Sequence, residues 1–164
     1  MLLQKFISTN PEKPKLVVIY GPTASGKTAL SIDVARRLET EIISADSRQI
    51  YRYLDIGTGK ITEEEKQWVT HHMLDIIDPS QDYSVWEYKK AVLPIIDSLH
   101  AKGKIPIICG GTGLYIDSII YNLSIPELPP DWEYRARLEA IRLEKWNEFL
   151  WQMLHDLDPE YAAE

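Results

Sequence analysis

Eight consecutive residues, GPTASGKT from Gly21 to Thr28, combine residue types and spacing suited to holding a phosphate. They fit the pattern GxxxxGK[ST] of a P-loop and stand between an apolar strand-like run and a helix-like stretch, the context that pattern requires. Gly21 and Gly26 bracket Pro22, Thr23, Ala24 and Ser25, and glycines let backbone N–H groups curl around an anion at a helix start. Lys27 adds a mobile ammonium, and Thr28 adds a hydroxyl able to hold Mg²⁺ directly or through water. A di- or triphosphate fits this chemistry. The loop alone leaves open what the phosphate is attached to, and whether phosphorus or carbon is attacked.

A second candidate is Asp46 in EIISADSRQIY, a carboxylate at the end of another strand-like run. In open α/β sheets ligands collect at the carboxyl ends of the strands, so Asp46 should face the same crevice as the loop. A general base, a metal ligand and a simple cap of the following turn all suit an Asp at this position. Arg48 and Gln49 follow, a donor fork and an amide able to grip an anion or read a base edge. The third candidate is CGGTG, Cys109 to Gly113, after a further apolar run; its glycines permit close backbone approach and Thr112 offers a hydroxyl, although a tight strand-to-helix turn needs the same residues.

The elements that must position these groups follow from the apolar pattern. Residues 16–20, 41–45, 72–77 and 105–109 are nearly continuous in Ile, Val and Leu, as expected of strands buried on both faces. Helices are expected over 27–39 and 84–102, the latter from Val85, Tyr88, Val92, Ile95, Ile96 and Leu99 at three- and four-residue spacing. Alternating strands and helices predict an α/β fold, a P-loop NTPase-like parallel sheet covered by helices.

Two seams interrupt the pattern, prolines 11 and 14 and prolines 126, 129 and 130. They divide the chain into a flexible N-terminal segment over 1–14, an α/β core over 15–125 and a helical segment over 126–164. In the last segment Asp131 is the expected N-cap. Leu138, Ile141, Phe149, Leu150, Met153, Leu154 and Leu157 make an apolar stripe over two helices broken near 145–147. Trp132, Trp146 and Trp151 are expected in core packing there, and Glu63 to Glu65 at a solvated helix start. His71 and His72 are adjacent and point to opposite faces of a strand, so structural roles are expected of both.

The composition is that of a folded domain, with 45% hydrophobic and 26% charged residues and a net charge of −7 over 164 residues. Residues 1–126 carry 14 Lys and Arg against 15 Asp and Glu, and residues 127–164 carry 4 against 10, so the acidity sits in the helical segment. One cysteine excludes an internal disulfide, and four scattered histidines give too few ligands for a Cys/His zinc site. The start MLLQKFISTNPEKPK lacks the pattern of a secretory signal, and no apolar run reaches membrane-span length; the expectation is a cytoplasmic protein with no membrane partner, favoured as a monomer.

Taken together, GPTASGKT, ADSRQIY, HHMLDIIDP and CGGTGLY closely resemble the tRNA dimethylallyltransferases, the bacterial tRNA isopentenyltransferase family. The resemblance runs from about Lys15 to the last residue. It implies transfer of a dimethylallyl group from dimethylallyl diphosphate to the exocyclic amine of the adenosine 3′ of the anticodon in tRNA, with release of diphosphate. By resemblance, Gly21 to Thr28 hold the donor diphosphate with Mg²⁺ as cofactor and Lys27 at the leaving group. Asp46 acts as base, and Thr112 stands at the reaction centre. Asp46, Ser47, Arg48, Gln49, Thr112 and Arg135 contact the tRNA. The family continues past residue 164, so the 126–164 segment is expected to be part of an incomplete tRNA-binding insertion domain in a chain truncated at its C-terminus. The alternatives are a P-loop small-molecule or nucleotide kinase, for which Arg135, Arg137 and Arg142 are the only arginines after Thr112, and an inactive phosphate-binding fragment.

Overall fold

Strands that alternate with helices must run parallel, because a helix carries the chain back to the edge from which it started. The structure, a computed structural model, describes residue 6, residues 14–128 and residues 130–163; the expected N-terminal flexible segment lies almost wholly outside the described residues. In chain order the elements are β1 (Val17–Tyr20), α1 (Lys27–Leu38), β2 (Ile42–Ser44), β3 (His71–His72), α2 (Val85–Ala101), β4 (Ile107–Gly110), α3 (Gly113–Ile120) and α4 (Trp132–Leu157), then a 3₁₀ turn at Tyr161–Ala163. Among the described residues the strands form one parallel sheet in the order β1-β4-β2-β3.

Register explains why the strand sequences lack alternation. Ile42 pairs with Ile107 and Ile43 with Ile108, and successive side chains point to opposite faces. On one face Ile19, Ile42 and Ile107 pack with Ile32 and Ala35 of α1. On the other, Ile43, Ala45 and Ile108 pack with Tyr88, Val92, Ile96 and Leu99 of α2 and Tyr115 and Ile116 of α3. Both faces are therefore dry, and each fully buried Ile or Leu contributes about 1.5–3 kcal/mol relative to exposure. Helix α2 starts in a reciprocal cap: the Ser84 side chain accepts from the Glu87 N–H, and the Glu87 carboxylate accepts from the Ser84 N–H at 2.7 Å. Tyr88 stacks on Tyr115 with ring centroids 4.0 Å apart, and its hydroxyl donates to the Ser44 carbonyl at 3.1 Å.

Two expected elements are corrected. The run 72–77 is not one strand. Only His71 and His72 pair with β2, because Met73 (φ 64°) and Asp75 (φ 55°) turn the backbone out of the extended region. The chain then returns so that the Ile76 and Ile77 N–H groups donate to the Ile50 carbonyl and Tyr51 bridges Ile77. Glu63 to Glu65 do not start a helix but form turns, closed by reciprocal bonds between Thr62 and Glu65 and ended by left-handed Gln67 and Trp68. His71 and His72 do diverge, His71 bonding the Val69 carbonyl and His72 the Glu41 carboxylate.

Residues 127–164 form a second compact unit, separate from 1–126. Asp131 caps α4 by accepting from the Tyr134 N–H at 2.8 Å, and Trp146 (φ 66°, ψ 174°) breaks the helix where the stripe predicted a break. The expected core packing of the tryptophans does not occur: Trp132 is 63%, Trp146 75% and Trp151 51% exposed, and no residue of α4 is buried. A unit of this size has too little interior to enclose an indole.

The lower edge of the sheet carries two acid-sensitive groups. Hydrogen bonding to His72 at 2.7 Å, with the charges of His72 and Lys104, holds the Glu41 carboxyl below its ordinary 4.5 against the opposing pull of burial. Burial holds the His71 imidazole below its ordinary 6.5, partly offset by its bond to Val69. Both groups bind protons more weakly folded than unfolded, so both favour the folded state at neutral pH and lose that contribution on acidification. Thermal midpoints measured against pH are expected to fall in two stages, from about 6.5 downward for His71 and below about 4.5 for Glu41; His71→Gln should flatten the first stage and Glu41→Gln the second.

Candidate active site at the carboxyl edge of the sheet

Because β1, β2 and β4 are parallel, their carboxyl ends open on one edge, and each of the three sequence candidates begins there. The backbones meet very closely. Gly110 lies against Ala45, where an added Cβ would come within 2.1 Å of the Ala45 carbonyl oxygen, so no side chain fits. The Ala45 N–H donates to the Cys109 carbonyl at 2.8 Å, and the Thr112 N–H donates to the Ala45 carbonyl at 2.9 Å. A Cβ on Gly111 would stand 3.6 Å from the Gly21 carbonyl, so the CGGTG turn also borders the start of the P-loop.

The loop itself turns through left-handed Ala24 (φ 63°) and Gly26 (φ 84°) into α1. That helix starts with no side-chain cap and no acidic residue in its first turn, which leaves its positive end unopposed by a carboxylate. Lys27 reaches back over the loop, its Nζ donating to the Pro22 carbonyl at 2.5 Å. Pro22, Thr23, Ala24, Ser25 and Thr28 are exposed, with the Thr28 hydroxyl-bearing side chain at the first turn of α1. Beneath the loop the Cys109 thiol donates to the Lys27 carbonyl at 3.8 Å; burial raises its pKa, which makes it a packing group and not a nucleophile.

Asp46 and Thr112 are brought together through Ser47. Thr112 Oγ1 accepts from the Ser47 N–H at 2.9 Å and donates to Ser47 Oγ at 3.2 Å, across 65 residues of sequence. Asp46 Oδ1 accepts from the Arg48 N–H at 2.9 Å, the turn-capping geometry that an Asp here permits, and this leaves Oδ2 for other chemistry. Arg48 is exposed. Gln49 is tied to a neighbouring turn, its amide nitrogen donating to the carbonyls of Thr58 and Gly59, both at 3.3 Å. Arg135 lies in the second unit, its guanidinium 5.5 Å from the Trp132 ring centroid. Lys60 had no motif to mark it, yet its ammonium is buried beside this segment with three oxygen partners. Among the described residues no three His, Cys, Asp or Glu side chains form a metal cluster, and no helix is long and apolar enough to cross a membrane.

A phosphate-type loop, a carboxylate and a threonine on one edge of a parallel sheet define a P-loop α/β protein. The family model described as IPP transferase matches residues 49–164, and the chain belongs to that family. It is 51% identical to a tRNA dimethylallyltransferase of Acetivibrio thermocellus, covering 90% of this chain and 47% of that protein, and 48% identical to one of Bacillus licheniformis, covering 93% and 49%. The structure superposes on the full-length tRNA isopentenylpyrophosphate transferase of Bacillus halodurans with a TM-score of 0.68 at 44% identity, covering 92% of this chain and 50% of that one. On a eukaryotic dimethylallyltransferase acting on tRNA the TM-score is 0.71 at 29% identity, over 92% and 37%. The chain spans about half the length of the curated relatives it matches.

The Thr112–Ser47 bond is what joins the β4 turn to the β2 turn through side chains. Thr112→Val removes the acceptor and leaves a part-buried N–H unpaired, so a loss of about 1–3 kcal/mol is expected in urea unfolding, with Thr112→Ser near wild type.

Proposed function

We propose that this chain provides the donor-binding core and the base of a tRNA dimethylallyltransferase, acting on dimethylallyl diphosphate and the adenosine 3′ of the anticodon. The observation that carries the reading is the placement of the P-loop and the Asp46–Thr112 pair on one sheet edge, in a chain of the IPP transferase family. In this reading the C1–O bond of the donor breaks, and its electron pair leaves with diphosphate. The loop N–H groups, the positive end of α1 and Lys27 stabilise that charge, with a diphosphate oxygen replacing the Pro22 carbonyl as acceptor for Lys27. The adenine amine forms the new N–C1 bond and gives its proton to Asp46, whose Oδ2 is not used by the turn. Thr112 and Ser47 hold that turn, Arg48 is exposed to meet the polynucleotide, and Arg135 contacts the tRNA from the helical unit. The target base must leave its stack to reach a carboxylate recessed at a strand end.

The donor set also suits Mg²⁺. With a hydroxyl at Thr28 and no cluster of three or more His, Cys, Asp or Glu among the described residues, the diphosphate and water would supply most of the ligands, the usual habit of this ion. The ion would neutralise charge on the leaving group.

The decisive assay offers labelled dimethylallyl diphosphate with an anticodon stem-loop, and labelled ATP with mixed acceptors, to this chain and to a chimera completed with the second half of the Bacillus halodurans relative. Prenyl transfer to RNA by either supports the reading. Phosphoryl transfer, or no prenyl transfer by either, overturns it. Lys27→Ala is expected to weaken diphosphate binding roughly 10- to 150-fold in calorimetry, the worth of a charge-assisted hydrogen bond. Asp46→Asn keeps an Oδ1 for the Arg48 N–H but cannot take a proton. The turn should therefore survive, with donor affinity unchanged, while the single-turnover rate falls about 10²- to 10⁴-fold.

A further inference from the structure

We infer that Lys60 is a positioning residue for the acceptor side of the site, acting through Gln49. Lysines are seldom buried unless paired, and the Lys60 side chain is 4% exposed. Its ammonium donates to the Tyr51 carbonyl at 2.8 Å, to Asp55 Oδ1 at 2.7 Å and to Asp75 Oδ1 at 2.5 Å. An ammonium has three protons, so all are spent, and Lys60 is not a phosphate ligand.

The partners show what the bonds accomplish. Gln49 is gripped from two sides. Its backbone carbonyl accepts from the Asp75 N–H at 3.2 Å, and its side-chain amide donates to Thr58 and Gly59 of the 54–60 turn. That turn is itself closed, with the Lys60 N–H on the Asp55 carbonyl at 3.0 Å and the Gly59 N–H on the Ile56 carbonyl at 3.2 Å. Asp75 belongs to the segment after β3, where Arg52 Nε also donates to its carbonyl at 2.9 Å. Lys60 bonds the Asp55 side of the turn and the Asp75 segment at once, so it couples the two supports of Gln49. Without its charge the two carboxylates would face each other and repel.

Gln49 lies three residues after Asp46, in the stretch that caps itself through the Asp46–Arg48 bond. None of these hydrogen bonds is made to the P-loop, and Gln49 meets it across a small cavity that it lines with Thr28. Because Gln49 belongs to the turn that carries Asp46, the coupling bears first on the acceptor, and in that respect it rests on the proposed function.

The test is Lys60→Met, which keeps the apolar stem and deletes the charge. Hydrogen exchange at the Asp75 and Ile76 amides should quicken about tenfold or more while β1 and β4 amides are unchanged, as expected for loss of one network tie. Diphosphate affinity should stay within about twofold, while in prenyl transfer the acceptor kcat/KM should fall about tenfold at constant donor KM. Unchanged exchange at Asp75 and Ile76, or donor and acceptor constants falling together, would overturn the inference. Should the methionine variant fail to fold, Asp75→Asn carries the same measurements. Transfer is read in this chain or, where it is inactive alone, in the completed chimera; if neither transfers a prenyl group the functional reading fails, and exchange at the two amides alone decides the role of Lys60.

Discussion

The contact on which the whole arrangement depends is backbone against backbone: Gly110 lying on Ala45. It brings the carboxyl ends of β2 and β4 close enough for Ala45 to bond Cys109 on one side and Thr112 on the other. Thr112 can then reach Ser47, and Asp46 is held beside it. A methyl group at position 110 would open this seam, separating the turn that carries the threonine from the turn that carries the carboxylate.

Rigidity in this part of the molecule comes from directional bonds more than from apolar contact. The sheet and helices α1, α2 and α3 supply two dry faces, and the Tyr88 hydroxyl extends that packing to the end of β2 through Ser44. Beyond the strand ends the apolar anchors are few, Ile50, Met73 and Ile76, while Tyr53 and Ile56 are 78% and 98% exposed. Between those anchors the 49–60 and 73–77 segments are fastened by carbonyls, amides and one buried ammonium. Networks of this kind fix geometry well while every member is satisfied and loosen as a unit when one is lost.

The two compact units obey different rules. In residues 1–126 apolar side chains find a sheet to cover. In 127–164 the helical period and the N-cap are obeyed, but the apolar stripe stays half-buried at best, because a broken helix alone encloses no core. Local rules are sufficient to make a helix; burial needs a second surface.

The local pattern of the chain determined a good deal. Continuous apolar runs marked β1, β2 and β4, the three- and four-residue spacing marked α2, and GPTASGKT, Asp46 and Thr112 were legible because their chemistry is set by neighbours in sequence. What tertiary structure alone decided is everything held across distance. The 72–77 run contributes only His72 to a strand because the backbone then turns to meet Ile50; Gln49 spends its amide on a turn nine and ten residues away; the tryptophans stay exposed. Lys60 reads as one more surface lysine until Asp55 and Asp75 are folded around it. Periodicity and propensity report which face a residue prefers, whereas partners brought from remote positions depend on loop paths that no local pattern encodes.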